Sequence, residues 1–485
     1  MNAIIDQTSI RRVLVVAYVF PPAGGAGVQR VTKFVKYLPE FGWECSVLTV
    51  ANPSVPVFDQ TLTEDVPEST VVRLAKTLEP GYALKSAVSA GSGGGNASKK
   101  SGGFRKLLKS AVRAAGNAIL QPDAQILWCP GAVKEGLQLL SELKHDAIFV
   151  TAPPFSSFVT GAALSRRSGL PLIVDYRDEW GISNRFQENR QKSSLSHRLQ
   201  NRMQRNVLRQ TLAAIATTRR SAASIQDAVR QAGSKATVSC IYNGYDATDL
   251  TSTEAPSKDS TIVEAIDPGE VASREAAEKL RIAYVGTLWN LTSIEPIVAA
   301  IEKLAITAPE KAKRIELTVA GRRTGAQDEI LDRLDKQPCQ LIRENYVEHK
   351  QAIEIMRRAD VQCLLLSDVP EAERVVPAKT FEYLALGRRI LSVGPAGEVH
   401  EILADFPQAE SFLPTDTLGI ADYFSRCLDD PRPPSGECAT ASTERFERRT
   451  LTQQLSHVLD QACGTNSDSP RQACHEQRET AEATA

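Results

Sequence analysis

At 485 residues, 42% of them hydrophobic, the chain is long for one domain and apolar enough for two cores, while a formal net charge of −1 gives no global field favouring nucleic acid or an acidic partner. Nine cysteines, scattered from Cys45 to Cys474 with no C-x-x-C, argue against a zinc site or a disulfide framework and for a reducing compartment. Met1 to Arg12 lacks the apolar core of a signal peptide and no run of about 18 apolar residues follows, so the expectation is a cytoplasmic protein that meets membranes only at their surface.

Val13 to Phe20 is a continuous apolar run, the pattern of a strand buried on both faces of a parallel sheet. Pro21-Pro22 ends it and Ala23-Gly24-Gly25-Ala26-Gly27 follows. Val28, Val31, Phe34, Val35 and Leu38 then mark one face of a helix. Strand, glycine loop and helix in that order form a phosphate- or sugar-binding turn of an α/β domain. Gly25 and Gly27 fit the first two positions of G-x-G-x-x-G, but Arg30 holds the third. The second strand, Cys45 to Val50, ends in Ala51-Asn52 where an acid is needed, so a nicotinamide nucleotide is not the expected ligand.

The window 80–122 has its own composition: a flexible linker from Gly91 to Asn96, and Lys85, Lys99, Lys100, Arg105, Lys106, Lys109 and Arg113 with no acid. Phe104, Leu107, Leu108, Ala111, Val112 and Ala115 run an apolar stripe through it. The segment 99–113 therefore reads either as a basic amphipathic helix for an anionic membrane surface or as a solvated insertion.

Asp146 to Thr151 is the next strand, closed by Ala152-Pro153-Pro154; Phe155 to Arg167 is a helix stopped by Gly169. Leu172 to Asp175 is a strand, and Tyr176-Arg177-Asp178-Glu179-Trp180 lies just past it. Ligands of open α/β sheets bind beyond the carboxyl ends of strands, which places Asp175, Arg177 and Asp178 for polar work; a structural Arg–Asp pair is the alternative. Leu195 to Leu212 is a long basic helix, Ala213 to Thr217 a strand, Ser221 to Ala232 a helix, and Val238 to Ile241 a strand leading to the Asn243-Gly244-Tyr245-Asp246 turn.

Thr251 to Lys279 is polar and reads as a linker, after which the alternation restarts. Strands are expected at Arg281 to Val285, Ile315 to Ala320 and Val361 to Leu366, and helices at Ile294 to Ala305, Asp328 to Leu334 and Gln351 to Arg358. Val375 to Leu391 then holds a short punctuated helix, with Pro377 at its start and Gly387 at the left-handed position after its last turn, before a strand at Ile390 to Val393. Lys379 and Glu382 lie three apart on this otherwise apolar helix. They form either an ordinary surface pair or a nucleotide site, with amides and Lys379 for phosphate and Glu382 for ribose hydroxyls. Helices at Leu418 to Leu428 and Glu444 to Ala462 complete the pattern, and Gly464 to Ala485 is too polar to pack. The domains are thus 11–250, with the insertion at 80–122, a linker 251–279, a second domain 280–440, a helix 441–463 returning toward the first domain, and a tail 464–485.

Several of these motifs together resemble the family 4 glycosyltransferases of bacterial exopolysaccharide and lipopolysaccharide synthesis. Phe20-Pro21-Pro22 with Gly24 to Arg30 is similar to the loop that family members place near acceptor and donor phosphates. Asn243-Gly244-Tyr245-Asp246 is similar to the N-G-x-D turn before the crossover, and Asp175 to Trp180 to the R-D-x-W segment. Pro377 to Gly387 resembles the donor-binding helix, in which Glu382 matches the carboxylate that holds ribose. The resemblance implies an α/β chain of the GT-B fold, two Rossmann-like domains with parallel sheets facing across a cleft. It departs from the family at two places. Eight positions before Glu382, where members often carry a second glutamate, stands Arg374; and Gly286-Thr287-Leu288-Trp289 carries no base after the first strand of the second domain.

The resemblance implies a hexosyltransferase type of enzyme. It moves sugar from a nucleoside diphosphate sugar to a glycan or lipid-linked acceptor, with retention and without a metal or other cofactor, in the cytoplasm or peripherally at the inner face of the plasma membrane. Nucleic acid is not an expected partner. Lys379, Arg322 and Asp178 are the expected catalytic residues, with Gly24, Gly25, Gly27, Gly286, Arg323, Arg374, Lys379 and Glu382 on the donor and Asp175, Arg177 and Asp178 on the acceptor side. A nucleotide-sugar epimerase on the same fold, or a non-catalytic relative acting as a scaffold, are the alternatives.

Overall fold

The computed structural model describes residues 11–53, 58–79, 120–181, 194–251, 279–430 and 443–464. Most of the insertion expected at 80–122, including the basic segment 99–113, lies outside the described residues, as do 252–278 of the linker and 465–485 of the tail. The chain forms two compact units. One comprises the chain through Ala216, Ala222–Ile241 and the stretch from Thr452; the other comprises Thr217–Ser221 and Tyr242–Leu451.

The first unit is built on a seven-stranded sheet of β1 (Arg11–Val16), β2 (Trp43–Val50), β3 (Val71–Ala75), β4 (Ala147–Ala152), β5 (Leu172–Tyr176), β6 (Thr211–Ala216) and β7 (Thr237–Cys240). The order is β3-β2-β1-β4-β5-β6-β7 and every pair is parallel. Parallel strands covered on both faces need apolar residues at consecutive positions, and Val13, Leu14, Val15 and Val16 are all essentially unexposed. The strand stops at Val16 rather than Phe20. Beyond it Ala17 still donates to Leu48 O, but the prolines that follow have no N–H to extend the ladder. The basic helix is shorter than its sequence pattern, Ser194–Leu208, because Thr211 already pairs with Leu172 in the sheet.

Helix Cys129–Glu142 carries no clear sequence signal, since Pro130, Gly131 and Gly136 read as breakers. The glycines are there for contact. A Cβ on Gly131 would lie 2.7 Å from Lys76 O, and one on Gly136 would lie 2.9 Å from Leu164 Cδ2. From the C-terminal helix, Arg448–Gly464, Asp460 accepts hydrogen bonds from the Trp43 indole at 2.8 Å and from Arg11.

The second unit carries a six-stranded parallel sheet of β8 (Leu280–Val285), β9 (Ile315–Ala320), β10 (Gln340–Glu344), β11 (Val361–Leu365), β12 (Arg389–Val393) and β13 (Ala409–Phe412), in the order β10-β9-β8-β11-β12-β13. The two edge strands are the ones the sequence hides. Unlike β11 or β12, β10 and β13 contain no fully buried residue, so neither shows an apolar run. Helices Glu295–Thr307 and Thr417–Asp429 pack on one face and supply Ile297, Ile301, Ile420 and Phe424 to the core. In each unit the chain winds outward in both directions from a pair of central strands, β1 and β4 or β8 and β11. The crevice beyond the carboxyl ends of such a pair is where doubly wound sheets bind ligands. No helix among the described residues is long and apolar enough to cross a membrane.

Candidate functional site

In the first unit β1 runs into the glycine loop and helix Ala26–Tyr37. Gly25 has φ 109°, a conformation that only glycine adopts without strain, and no side chain caps the helix start. A helix start without a side-chain cap can donate its first amides to an anion or to a hydroxyl oxygen. Arg177, from the segment after β5, donates to Gly27 O and to Pro153 O. It ties the glycine loop to the end of β4, and a Cβ on Gly27 would lie 3.1 Å from its Nη1. Burial pushes the Arg177 pKa down, with Asp178 and Asp175 opposing that shift.

Asp175 corrects the expectation of an acceptor-side carboxylate. Its side chain is 0% exposed and faces inward. Arg30 Nη2 donates to it at 2.8 Å, Arg30 Nε at 3.1 Å and Thr151 Oγ1 at 2.8 Å. The partner is thus Arg30, 145 positions away, rather than neighbouring Arg177. The residue that spoils the dinucleotide fingerprint is the one that binds the glycine-loop helix to β5. Asp178 keeps an exposed side in the structure; desolvation by its surroundings pushes its carboxyl pKa up, and the Arg177 cation opposes that shift.

A further carboxylate, Asp123, escaped the sequence reading. It is 7% exposed and accepts from Ser156 N at 3.1 Å, at the start of the helix that follows β4. Its Oδ1 has no hydrogen-bond partner among the described residues. Burial pushes its pKa up to about 6, against the hydrogen bonding from Ser156 and Phe155 and with a small push from Glu79. Trp180 closes this corner. It stacks on Phe155 at 4.7 Å between centroids and donates to Gln200, whose amide donates to Pro122 O at 3.3 Å. No sequence motif marks Asp123; its only signal is its place beside Pro122, ahead of a helix.

In the second unit the loops after β8 and β9 are zipped together. Leu288 N donates to Arg322 O at 2.8 Å and Thr324 N to Leu288 O at 3.2 Å. Gly321 has φ 133°, and a Cβ there would lie 2.0 Å from Gly286 O, so only glycine fits. The two arginines that follow separate. Arg322 is exposed, and no side-chain hydrogen bond or ion pair engages it among the described residues. Arg323 is folded in, donating to Asp328 at 2.8 Å, Gly321 O at 3.0 Å and Glu344 O at 2.6 Å. Those bonds occupy the guanidinium expected at the donor phosphates, which corrects its assignment.

The helix expected to meet the donor spans Lys379–Leu386 and ends at Gly387 with φ 66°, the left-handed cap its sequence calls for. Pro377 stands just ahead of it, where its carbonyl accepts from Thr380 N at 3.0 Å. Phe381, Tyr383 and Leu384 are buried. Lys379 Nζ bonds Glu382 Oε2 at 2.5 Å, so the structure brings this pair together. It is no surface pair: Glu382 is 7% exposed, and its second oxygen, Oε1, makes no hydrogen bond among the described residues. Arg374 lies 3.8 Å from Glu373, on a turn that starts at Glu371 with φ 72°, a left-handed conformation costly for a non-glycine residue.

Residues 24–244 match the family described as Glycosyl transferase 4-like domain. The chain is a glycosyltransferase. No curated protein matches it in sequence. Among solved structures, this glycosyltransferase is similar to Alr3699/HepE of Anabaena in complex with UDP and glucose, at 14% identity and TM-score 0.56, covering 93% of this chain and 100% of the other. It is also similar to the alpha,alpha-trehalose 6-phosphate synthase of Burkholderia multivorans, at 14% identity and TM-score 0.58 over 95% and 100% of the two chains. The lipopolysaccharide outer core galactosyltransferase WaaB aligns at 10% identity and TM-score 0.50 over 93% and 98%. With the two parallel sheets, these likenesses establish the GT-B fold, two Rossmann-like α/β domains in one chain.

Proposed function

We propose that this glycosyltransferase moves a sugar from a nucleoside diphosphate sugar to a glycan or lipid-linked acceptor of cell-surface polysaccharide synthesis, with retention at the anomeric carbon and without a metal. The observation that carries the reading is the Lys379–Glu382 pair. One oxygen of a buried carboxylate is fixed by an ammonium and the other is left to accept. Ribose hydroxyls are donors suited to Oε1, and the ammonium beside it faces a diphosphate. As the sugar leaves, negative charge builds on that diphosphate, and cations already in place lower the barrier because they need not reorganise. Lys379 and the exposed Arg322 are the residues for this role, with Gly286 admitting backbone close to the phosphates. The chain contains no Asp-x-Asp, which fits charge stabilisation by side chains. The HepE complexes hold UDP and UDP-glucose, which supports trying UDP-sugars first. On the acceptor side Asp178 is the exposed carboxylate. A cytoplasmic protein peripheral to the inner face of the plasma membrane is part of the same proposal.

The test is release of nucleotide from a panel of UDP-, GDP- and dTDP-sugars with lipid-linked acceptors in the presence of EDTA, alongside titration calorimetry of Glu382→Gln. Losing a charged hydrogen bond should weaken donor binding by about 1.5–3 kcal/mol, roughly 10- to 150-fold. Unchanged donor affinity removes Glu382 from the site. Epimerised donor without transfer points to the epimerase, and binding without turnover on any acceptor to a scaffold.

A further inference from the structure

The long basic helix carries none of the residues assigned above to the sugar chemistry. In the fold it spans Ser194–Leu208, fifteen residues without one acid. One face is committed to the first unit. Gln200 is 1% exposed and joins Trp180, Gln121 and Pro122, while Val207 and Leu208 enter the core. At about 100° per residue the remaining side chains separate cleanly. Leu195, Arg198, Leu199, Arg202 and Arg205 fall within one arc on the opposite side, and Arg209, just past the last turn, continues it. All six are exposed. Leu195 is 69% and Leu199 38% exposed, among the large apolar side chains left open to solvent. No carboxylate pairs with these arginines among the described residues. Arg205 and Arg209 donate only to the carbonyls of Asn201 and Ala232. Arg166, from the end of helix Ser156–Ser168, donates to Gln210 at 3.3 Å and extends the patch by one more cation.

Leucines set within an unneutralised arginine stripe give this face the composition of a membrane-surface helix. We propose that this face docks the enzyme on an anionic bilayer: the arginines meet lipid phosphates and carboxylates, and Leu195 and Leu199 enter the boundary between headgroups and acyl chains. The leucines favour a bilayer over nucleic acid, whose backbone offers phosphate but no apolar layer. The opposite face is pinned by Gln200, so the helix presents its arginines as a rigid row. The inference rests on the peripheral attachment included in the proposed function and is independent of the donor chemistry, because it concerns binding and can be read without turnover.

Sedimentation of the full chain with vesicles tests it. Binding should be strong on phosphatidylglycerol vesicles, weak on phosphatidylcholine vesicles and reduced by salt. Each arginine near such a surface is worth a factor of about five, so Arg198→Ala with Arg202→Ala should lower the partition coefficient about 25-fold. Leu195→Ser with Leu199→Ser should lower it at all salt concentrations. Both pairs lie outside the catalytic machinery and should leave turnover of soluble acceptors unchanged, with circular dichroism confirming that each variant is folded. Equal binding to neutral vesicles, unchanged binding of both variants, or loss of binding only when 99–113 is deleted overturns the proposal. So does tighter arginine-dependent binding to duplex DNA than to vesicles.

Discussion

Asp175→Ala separates a structural carboxylate from a catalytic one. Asp175 and Arg30 are 0% and 1% exposed in their side chains, and Thr151 fills a further acceptor position of the carboxylate. Removing the aspartate leaves a guanidinium in the core without its counter-ion, a perturbation that costs about 3–5 kcal/mol in buried pairs. That is a large share of a stability of about 5–15 kcal/mol. Replacing both partners, Arg30→Met with Asp175→Leu, removes the stranded charge and should recover most of the loss. The assay is urea unfolding followed by tryptophan fluorescence, which is informative because Trp43, Trp128 and Trp180 all lie buried in the first unit and only Trp289 lies in the second. The single variant should move the fluorescence midpoint well down and the double variant should move it back. A loss below about 1 kcal/mol with turnover abolished would refute this reasoning and return Asp175 to the chemistry. So would a double variant no more stable than the single one.

Two other expectations rest on backbone and charge. Gly321→Ala places a Cβ 2.0 Å from Gly286 O at φ 133°, and should destabilise the second unit by about 3 kcal/mol or more, read as an early transition in thermal unfolding. Asp123 has a folded pKa of about 6 against 3.8 for the ordinary carboxyl, so the folded state holds the proton more tightly. Its contribution to stability is complete below about pH 4 and is lost as pH rises toward 6. The difference of about 2 units corresponds to about 3 kcal/mol as an upper figure. Asp123→Asn keeps an acceptor for Ser156 N and removes the charge, so it should gain stability relative to the native chain between pH 4 and 6.5. A difference that stays flat across that range would rule out the buried charge.

The sequence revealed what is local. The apolar run of β1, the glycine turn, and the helix from Lys379 with its left-handed cap at Gly387 follow from neighbours in the chain; the turn and the helix stand where the pattern put them, while β1 spans Arg11–Val16 instead of Val13 to Phe20. What it hid is long-range or depends on which way a side chain turns. Nothing between positions 30 and 175 announces that Arg30 will seek Asp175 when Arg177 stands two residues away. Helix Cys129–Glu142 is concealed because Gly131 and Gly136 read as breakers, although they are there to let the helix lie against Lys76 and Leu164. Asp123 is invisible for the same reason: its character comes from burial against a helix start contributed by a segment 33 positions away.

Arg322 and Arg323 show how the missing base after β8 is reconciled with the proposed chemistry. Adjacent in sequence, they were indistinguishable as phosphate ligands. The parallel bridge between Leu288 and Arg323 decides between them. It registers the loop after β9 against the loop after β8, which turns Arg323 inward to satisfy the carbonyls of Gly321 and Glu344 and turns Arg322 out to solvent. The same register sets the Arg322 carbonyl 2.8 Å from Leu288 N, beside the Gly286–Trp289 turn that lacks a cation. A base on the second loop therefore stands next to the place where the first loop would have carried one. The close approach of Gly321 to Gly286 makes this possible, since any larger residue at 321 would push the loops apart. On the proposed reading, the cation for a leaving diphosphate comes from the neighbouring loop, and the glycine at 321 is what lets the two loops lie that close.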